Sequence, residues 1–329
     1  MSETHDAPFA ELDPDRILEA VESLGFECDG RVLALNSYEN RVYRIGRESN
    51  LPLVAKFYRP ERWTDNAILE EHAFSAELLA ADISVVAPLI INGQTLHHDK
   101  KLRFALFPMQ GGHAPEPGDK ETLIHIGRAL GRLHCVGASK DFDYREKLGI
   151  KNKAEEPIYY LLEAHWLPPE LEDNFIALSE QLIDQIEHAW QRAGHFETLR
   201  LHGDCHPGNL LWRDDTVHFV DLDDALTGPA MQDCWMLLNG SFETRSQQMA
   251  WLLEGYEVFR KFNRAELHLI EALRAMRIIH YHAWIARRWH DPAFPAAFPW
   301  FESSRHWEGV ITQLQEQLST MQEPVLVLR

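Results

Sequence analysis

The chain has 329 residues, 45% hydrophobic and 25% charged, the balance of a soluble globular protein long enough for two core-bearing units. Its net charge of −19, from 51 acids against 32 bases, excludes a nucleic-acid binder, which needs a basic surface to displace counterions. Four scattered cysteines, Cys28, Cys135, Cys205 and Cys234, lack CxxC spacing, so neither a zinc site nor a disulfide framework is indicated.

Residues 1–6 are acidic and lack the basic, apolar and small-residue phases of a signal peptide. Ile17, Ala20, Val21 and Leu24 follow at helical spacing, with Gly25 as a stop. An alternating pattern then predicts strand, turn and strand: Val32, Leu33 and Leu35, the polar run Asn36-Ser37-Tyr38-Glu39-Asn40, and Val42, Tyr43 and Ile45. A third strand over residues 53–58 ends at Arg59-Pro60. A helix over 64–81 carries Ile68, Leu69, Phe74, Leu78 and Leu79, with Thr64 or Asp65 as its cap. Two more strands are expected at 85–91 and 102–107. The first of these segments is the most apolar patch in the chain and is far too short to span a bilayer. A cytoplasmic protein, with no membrane and no nucleic-acid partner, is expected.

Pro108-Met109-Gln110-Gly111-Gly112, extended by Pro115 and Pro117, breaks the pattern and marks a hinge. Beyond it Leu123, Ile126, Leu130 and Leu133 lie on one helical face. A hairpin over 200–224 interrupts the helices, which resume over 235–262 and 265–289, ahead of an aromatic, proline-rich stretch at 291–301. The expected architecture is α+β: a small mixed lobe over residues 1–108 and a large, mainly helical lobe over 109–329.

The chemistry sits in the hairpin. Leu201-His202-Gly203-Asp204-Cys205-His206-Pro207-Gly208-Asn209 is followed by the apolar run Val217-His218-Phe219-Val220 and then Asp221. Asp204 and Asn209 stand five apart, the spacing of the Asp and Asn in a protein-kinase catalytic loop, and Asp221 ends the next strand, where kinases carry a metal-binding acid. Phosphoryl transfer needs this set: one carboxylate to orient the attacking hydroxyl, and an amide and a second carboxylate to hold Mg²⁺ on nucleotide phosphates. A plain polar turn explains the Asp, Asn, Gly and Pro but not the spacing. Lys56, in Val54-Ala55-Lys56, fits the strand lysine that faces the α/β-phosphates; its alternative is a lysine snorkelling from a strand edge. Glu71 shares a stripe with Phe74 and Leu78, so it faces inward as the partner of Lys56, while Glu70 points to solvent. No glycine-rich loop covers the phosphates; Asn36-Ser37-Tyr38-Glu39-Asn40 stands there, either as a nucleotide contact through Ser37 or as a simple hairpin turn.

At these residues the chain resembles the aminoglycoside phosphotransferase and choline kinase superfamily, whose H-G-D-x-H-x-x-N is matched by His202, Gly203, Asp204, His206 and Asn209, and whose metal-binding acid is matched by Asp221. Gly228-Pro229-Ala230-Met231-Gln232-Asp233 fits the pattern that follows. Four further runs, at residues 35–43, 56–63, 219–224 and 291–295, resemble the bacterial stress response kinase A group, so that the likeness covers nearly the whole chain. The resemblance implies a bilobal protein-kinase-like fold and an ATP- and Mg²⁺-dependent serine/threonine protein kinase linked to stress survival. It implies Asp204 as catalytic base, Asn209 and Asp221 as Mg²⁺ ligands with Asp223 assisting a second metal, Ser37 at the ATP site that the pattern around Lys56 and Glu71 already indicates, and Phe107 to Met109 presenting backbone groups to adenine. A monomer is expected.

Other candidates read as structural. His97, His98, His280 and His282 lack metal-site spacing, His202 and His206 order the loop, and His134 packs against it. Cys205 is read as a buried filler rather than a redox site. Asp233 is expected to accept backbone N–H bonds rather than bind metal. Trp284, Trp289, Phe294, Phe298, Trp300 and Phe301 suit core packing, with an acceptor pocket as the alternative. The catalytic motif fits a small-molecule kinase for an amino alcohol, amino sugar or homoserine-like acceptor equally well. The short stretch from Leu222 to Met231 favours such an acceptor, and the absent glycine loop alone suggests a binding protein.

Overall fold

The computed structural model describes residues 8–48, 50–116 and 118–328, so residues 1–6 and Pro117 of the expectations above lie outside the described residues. The chain forms two compact units, the first from the residues up to Pro115 with Phe142–Arg145 and Gly208–Ala225, the second from Glu116–Asp141, Glu146–Pro207 and the residues from Leu226 onward.

In the first unit, α1 (Pro14–Glu22) starts where the Asp13 carboxylate accepts the Arg16 N–H, with proline in its first turn. It lays Ile17, Ala20 and Val21 on an antiparallel sheet of β1 (Cys28–Ala34), β2 (Arg41–Arg47), β3 (Leu53–Tyr58), β4 (His97–Asp99) and β5 (Leu102–Pro108), whose order is β1-β2-β3-β5-β4. Between β3 and β4, α2 (Asp65–Ala80) is capped by Thr64, whose hydroxyl accepts the Ala67 N–H at 3.2 Å, and buries Ile68, Glu71, Phe74 and Leu78. The strand expected at 85–91 does not form. Pro88 has no N–H to give a ladder, and among the described residues the segment makes isolated bridges, Val85 with Phe219 and Ile91 with Gln94, and a bond from the Leu89 N–H to the Leu106 carbonyl. The short polar β4 takes the sheet edge instead.

In the second unit α3 (Lys120–Gly137), α4 (Glu156–Glu163) and α5 (Pro169–Ala193) precede β6 (Leu199–Leu201). The chain then contributes the hairpin β7 (Leu210–Arg213) and β8 (Thr216–Phe219) to the first unit, through a two-residue turn in which Asp214 and Asp215 are both left-handed. The second unit resumes with β9 (Leu226–Gly228), which pairs with β6, and continues with α6 (Phe242–Tyr256), α7 (Ile270–Arg287), α8 (Ala293–Ala297) and α9 (Ser304–Thr320). The helix expected from 235 is delayed to Phe242 by Gly240, at φ 84°, and by Ser241, which caps the new start. Helices α3 and α6 pass in backbone contact, since a Cβ on Gly255 would stand 1.9 Å from the Ile124 carbonyl. Helices α5, α7 and α9 bury Phe175, Leu182, Met276, Ile279, Trp307 and Leu314 in the main core. The α+β class expected from the pattern is borne out.

Candidate active site

Within the first unit, the β7/β8 register sets the backbone of Asn209 against Val220, the residue before Asp221. Leu210 pairs with Phe219, so Asn209 and Val220 flank the open end of the hairpin, and the Val220 N–H donates to the Asn209 carbonyl at 3.1 Å. Asp221 follows at once, left-handed at φ 58° with its side chain half exposed. Lys56, buried in the central strand β3, reaches this arm with Nζ 2.9 Å from Asp221 Oδ1 and 3.1 Å from Asp223 Oδ1. Burial alone would lower the lysine pKa, but Asp221, Asp223 and Glu71 outweigh it and hold the ammonium well above its ordinary value.

Glu71 does face inward, but the partnership expected with Lys56 is not made. Its carboxyl is buried with Oε2 unpartnered, because Asp221 and Asp223 occupy the ammonium, and burial pushes its pKa up to about 7. Glu70 also departs from expectation. Rather than pointing to solvent it accepts the backbone N–H groups of Asp143, Tyr144 and Arg145 at 2.6, 2.9 and 3.0 Å.

Asp223 is almost wholly buried and serves as an anchor. Besides Lys56 it pairs with Arg62 and accepts from Asn40 Nδ2 at 3.0 Å. Burial would raise its pKa, but Arg62, Lys56 and Arg145 hold it well below the usual carboxylate range. Asn40 Oδ1 in turn accepts the Arg59 N–H at 3.0 Å, and Arg59 Nε donates to the Glu39 carbonyl at 2.9 Å. Residues 36–40 are therefore pinned by Arg59, Arg62 and Asn40, and Ser37 sits half-buried among them. This is how a loop without glycine is held in one conformation. Phe107 pairs with Val54 in the sheet, and Met109 lies exposed just beyond β5.

Two oxygen donors suit Mg²⁺, which takes one or two carboxylates plus phosphates and water. The accessible Asp221 carboxylate beside Asn209 fits that requirement. The Asp223 oxygens are already engaged by three nitrogen donors. Among the described residues no group of three or more His, Cys, Asp or Glu is arranged to hold a metal ion.

Within the second unit, β6 leads into the loop carrying Asp204. The buried Asp233 carboxylate accepts the N–H groups of His202 and Gly203, each at 2.8 Å, and lies 3.1 Å from His134 Nε2, whose Nδ1 is 2.9 Å from the Tyr256 hydroxyl. Gln232 Nε2 donates to the Gly203 carbonyl at 2.7 Å, and Gly203 is left-handed at φ 85°. The expected role of Asp233 is realised, while His134, expected to pack against the loop, bonds Asp233 and Tyr256. The loop presents Asp204, whose Oδ1 accepts from Arg277 Nη1 of α7 at 2.5 Å while Oδ2 is 3.5 Å from His206 Nε2. Burial would raise the Asp204 pKa, but His206 and Arg277 hold it well below the usual range, so the side chain is a carboxylate. Burial pushes the Cys205 thiol far up, which leaves it unreactive and fits a filler.

Phe294, Phe298 and Phe301 are core residues, whereas Trp300 and Tyr281 remain about 40% exposed. His97 and His282 are buried, and His98 bonds Asp65 at 3.0 Å. Arg62, Asn40 and Arg277 carry no sequence signal of their own. Each meets its acid across more than 70 residues, and only the excess of charge on otherwise packed elements hints at them.

Residues 31–270 match the phosphotransferase enzyme family. Stress response kinase A of Escherichia coli strain K12 is 44% identical over 320 residues, 97% of each chain, and serine/threonine protein kinase RdoA of Salmonella typhimurium is 43% identical over the same share. Among solved structures, amicoumacin kinase hAmiN in complex with AMP-PNP, Ca²⁺ and Ami superposes with a TM-score of 0.76 at 16% identity, over 97% of both chains. The microcompartment-associated aminopropanol kinase gives 0.67 at 16% identity, over 92% of this chain and 98% of that one. At such identities the likeness is one of fold.

Proposed function

Because the chain belongs to the phosphotransferase enzyme family and, within it, to the stress response kinase A group, we propose that it is an ATP- and Mg²⁺-dependent serine/threonine protein kinase acting in the cytoplasm. The observation that carries the reading is the hairpin that sets Asn209 beside Asp221, with the buried Lys56 ammonium 2.9 Å from that same carboxylate. An anionic ligand with its own divalent ion satisfies both charges at once. No helix among the described residues is long and apolar enough to cross a membrane.

Lys56 supplies fixed positive charge for the nucleotide phosphates, which a chain of net charge −19 must provide locally. Asn209 and Asp221 would hold the metal ion, which when bound would neutralise phosphate oxygens. Asp223 anchors Lys56, Arg62 and the 36–40 turn, and Ser37 and the backbone from Phe107 to Met109 contact the nucleotide. Glu71 waits for the lysine once Asp221 is engaged elsewhere. Asp204 orients the acceptor hydroxyl and takes its proton. The hydroxyl oxygen bonds to the γ-phosphorus as the bond to the β–γ bridging oxygen breaks, and ADP leaves with the electron pair. Most of the gain is positional and electrostatic.

A small alcohol as acceptor is the second reading, favoured by the short stretch from Leu222 to Met231. The two separate by following label from the γ-phosphate of Mg·ATP into protein serine and threonine or into a panel of alcohols, with Asp204→Ala as the blank. Label in protein, absent from the blank, supports the kinase. Label in an alcohol alone overturns it.

A further inference from the structure

Arg277, which holds Asp204, opens a cationic and aromatic face on α7. Arg277, Tyr281, Trp284 and Arg288 recur at helical spacing along one stripe, with His280 and Arg287 beside it. Tyr281 stacks on Trp284 with ring centroids 5.9 Å apart, and the Arg288 guanidinium lies 5.3 Å from the Trp284 ring centre. Arg287 is exposed, lies over the Tyr160 ring at 4.9 Å and has no carboxylate within ion-pair reach among the described residues. Arg277 is 45% exposed and spends a single N–H on Asp204, leaving the rest of its fork beside the reacting carboxylate. His280, packed among these side chains, shows the balance of charge: burial, then Lys153, Arg287, Arg288 and Arg277, push its pKa well below the ordinary value. In a chain of net charge −19 this concentration of cations is out of proportion.

Resting on the kinase reading above, we propose that this face of α7 is the acceptor-binding surface of Asp204 and that it selects an acidic polypeptide segment, one whose serine or threonine is flanked by carboxylates. Guanidinium forks match carboxylates, and the exposed Tyr281 ring covers the intervening backbone. Length favours a polypeptide over a small anionic alcohol. From Arg277 to the exposed Arg287 a helix rises about 15 Å, the reach of roughly four extended residues. An acceptor carboxylate on Arg277 also displaces it from Asp204 Oδ1 and frees that oxygen for the hydroxyl.

The test uses the full chain and three fluorescent peptides of equal length, each with one serine, flanked by glutamates, glutamines or lysines. Anisotropy gives binding without turnover, and labelled Mg·ATP gives transfer. The expected result is tightest binding and lowest KM for the glutamate peptide, weakened by salt. Arg287→Glu, remote from Asp204, raises both for that peptide by about tenfold while kcat and the KM for ATP hold, and Arg287→Lys restores most of the loss. Equal binding of glutamate and lysine peptides, or an Arg287→Glu protein indistinguishable from wild type, overturns the proposal while leaving the kinase reading intact. Selective binding lost in Arg287→Glu, with no label entering serine, sustains the surface and sinks the kinase reading instead.

Discussion

The Asp233 carboxylate accepts the Gly203 N–H at 2.8 Å, one residue before Asp204. Its other oxygen takes the His202 N–H at 2.8 Å and faces His134 Nε2 at 3.1 Å. A carboxylate supplies only acceptors, which suits two amide donors, whereas an amide side chain must turn an NH₂ toward one of them. Asp233→Asn therefore destabilises the fold by about 2–4 kcal/mol. Denaturant unfolding checks this, and transfer should fall even where the variant is fully folded.

Asp204 and Asp221 lose different things. Asp204→Ala keeps nucleotide affinity within about threefold while transfer drops by at least roughly a hundredfold. On the proposed reading Asp221→Ala removes both the proposed metal donor and a partner of Lys56, so nucleotide binding measured by calorimetry should cease to depend on Mg²⁺. Asp204→Ala with wild-type turnover would dismiss the assigned base.

The frame of this site is legible in the sequence because its signals are local. The Val54-Ala55-Lys56 strand and the α2 stripe through Glu71 each sit within a single element, and the structure forms both elements there; the motif with Asp204 and Asn209 is a run of nine residues. What local pattern cannot supply is partner choice. Lys56 meets Asp221 and Asp223 rather than Glu71 because the β7/β8 hairpin delivers two carboxylates to one ammonium, across 165 residues in the case of Asp221. The 36–40 turn needs no glycine because Arg59 and Asn40 hold it, again through contacts outside the turn. The strand expected at 85–91 fails on Pro88, where apolar content outweighed the missing N–H.

Arg277 helps His206 hold the Asp204 carboxyl down, so its removal should be visible in the pH profile. Burial raises the Asp204 pKa, while His206 and Arg277 lower it. In Arg277→Gln one of the two opposing contacts is gone while His206 stays, and the acid limb of kcat/KM moves up in pH. An unmoved limb would mean that His206 alone sets the ionisation of Asp204.

Glu266 makes fold stability fall as pH rises toward neutrality. It is 3% exposed and accepts the Met231 N–H at 3.0 Å, yet burial pushes its pKa up to about 7 from an ordinary 4.5. Between those values the folded protein binds the proton and the unfolded chain does not. The contribution is therefore complete below about 4.5 and lost as pH rises through about 7, a span worth at most about 3 kcal/mol. Glu71, pushed up to about 7 as well, acts in the same direction. The depressed acids Asp204 and Asp223 act in the opposite sense and lower down, losing their contribution as pH falls through the acid range. Glu266→Gln keeps an oxygen for Met231 but cannot ionise. Its stability should exceed wild type above pH 7 and converge with it near pH 4.5, leaving the residual slope to Glu71. Urea midpoints across that range read the difference, and parallel curves would show that the Glu266 carboxyl titrates alike in the folded and unfolded states.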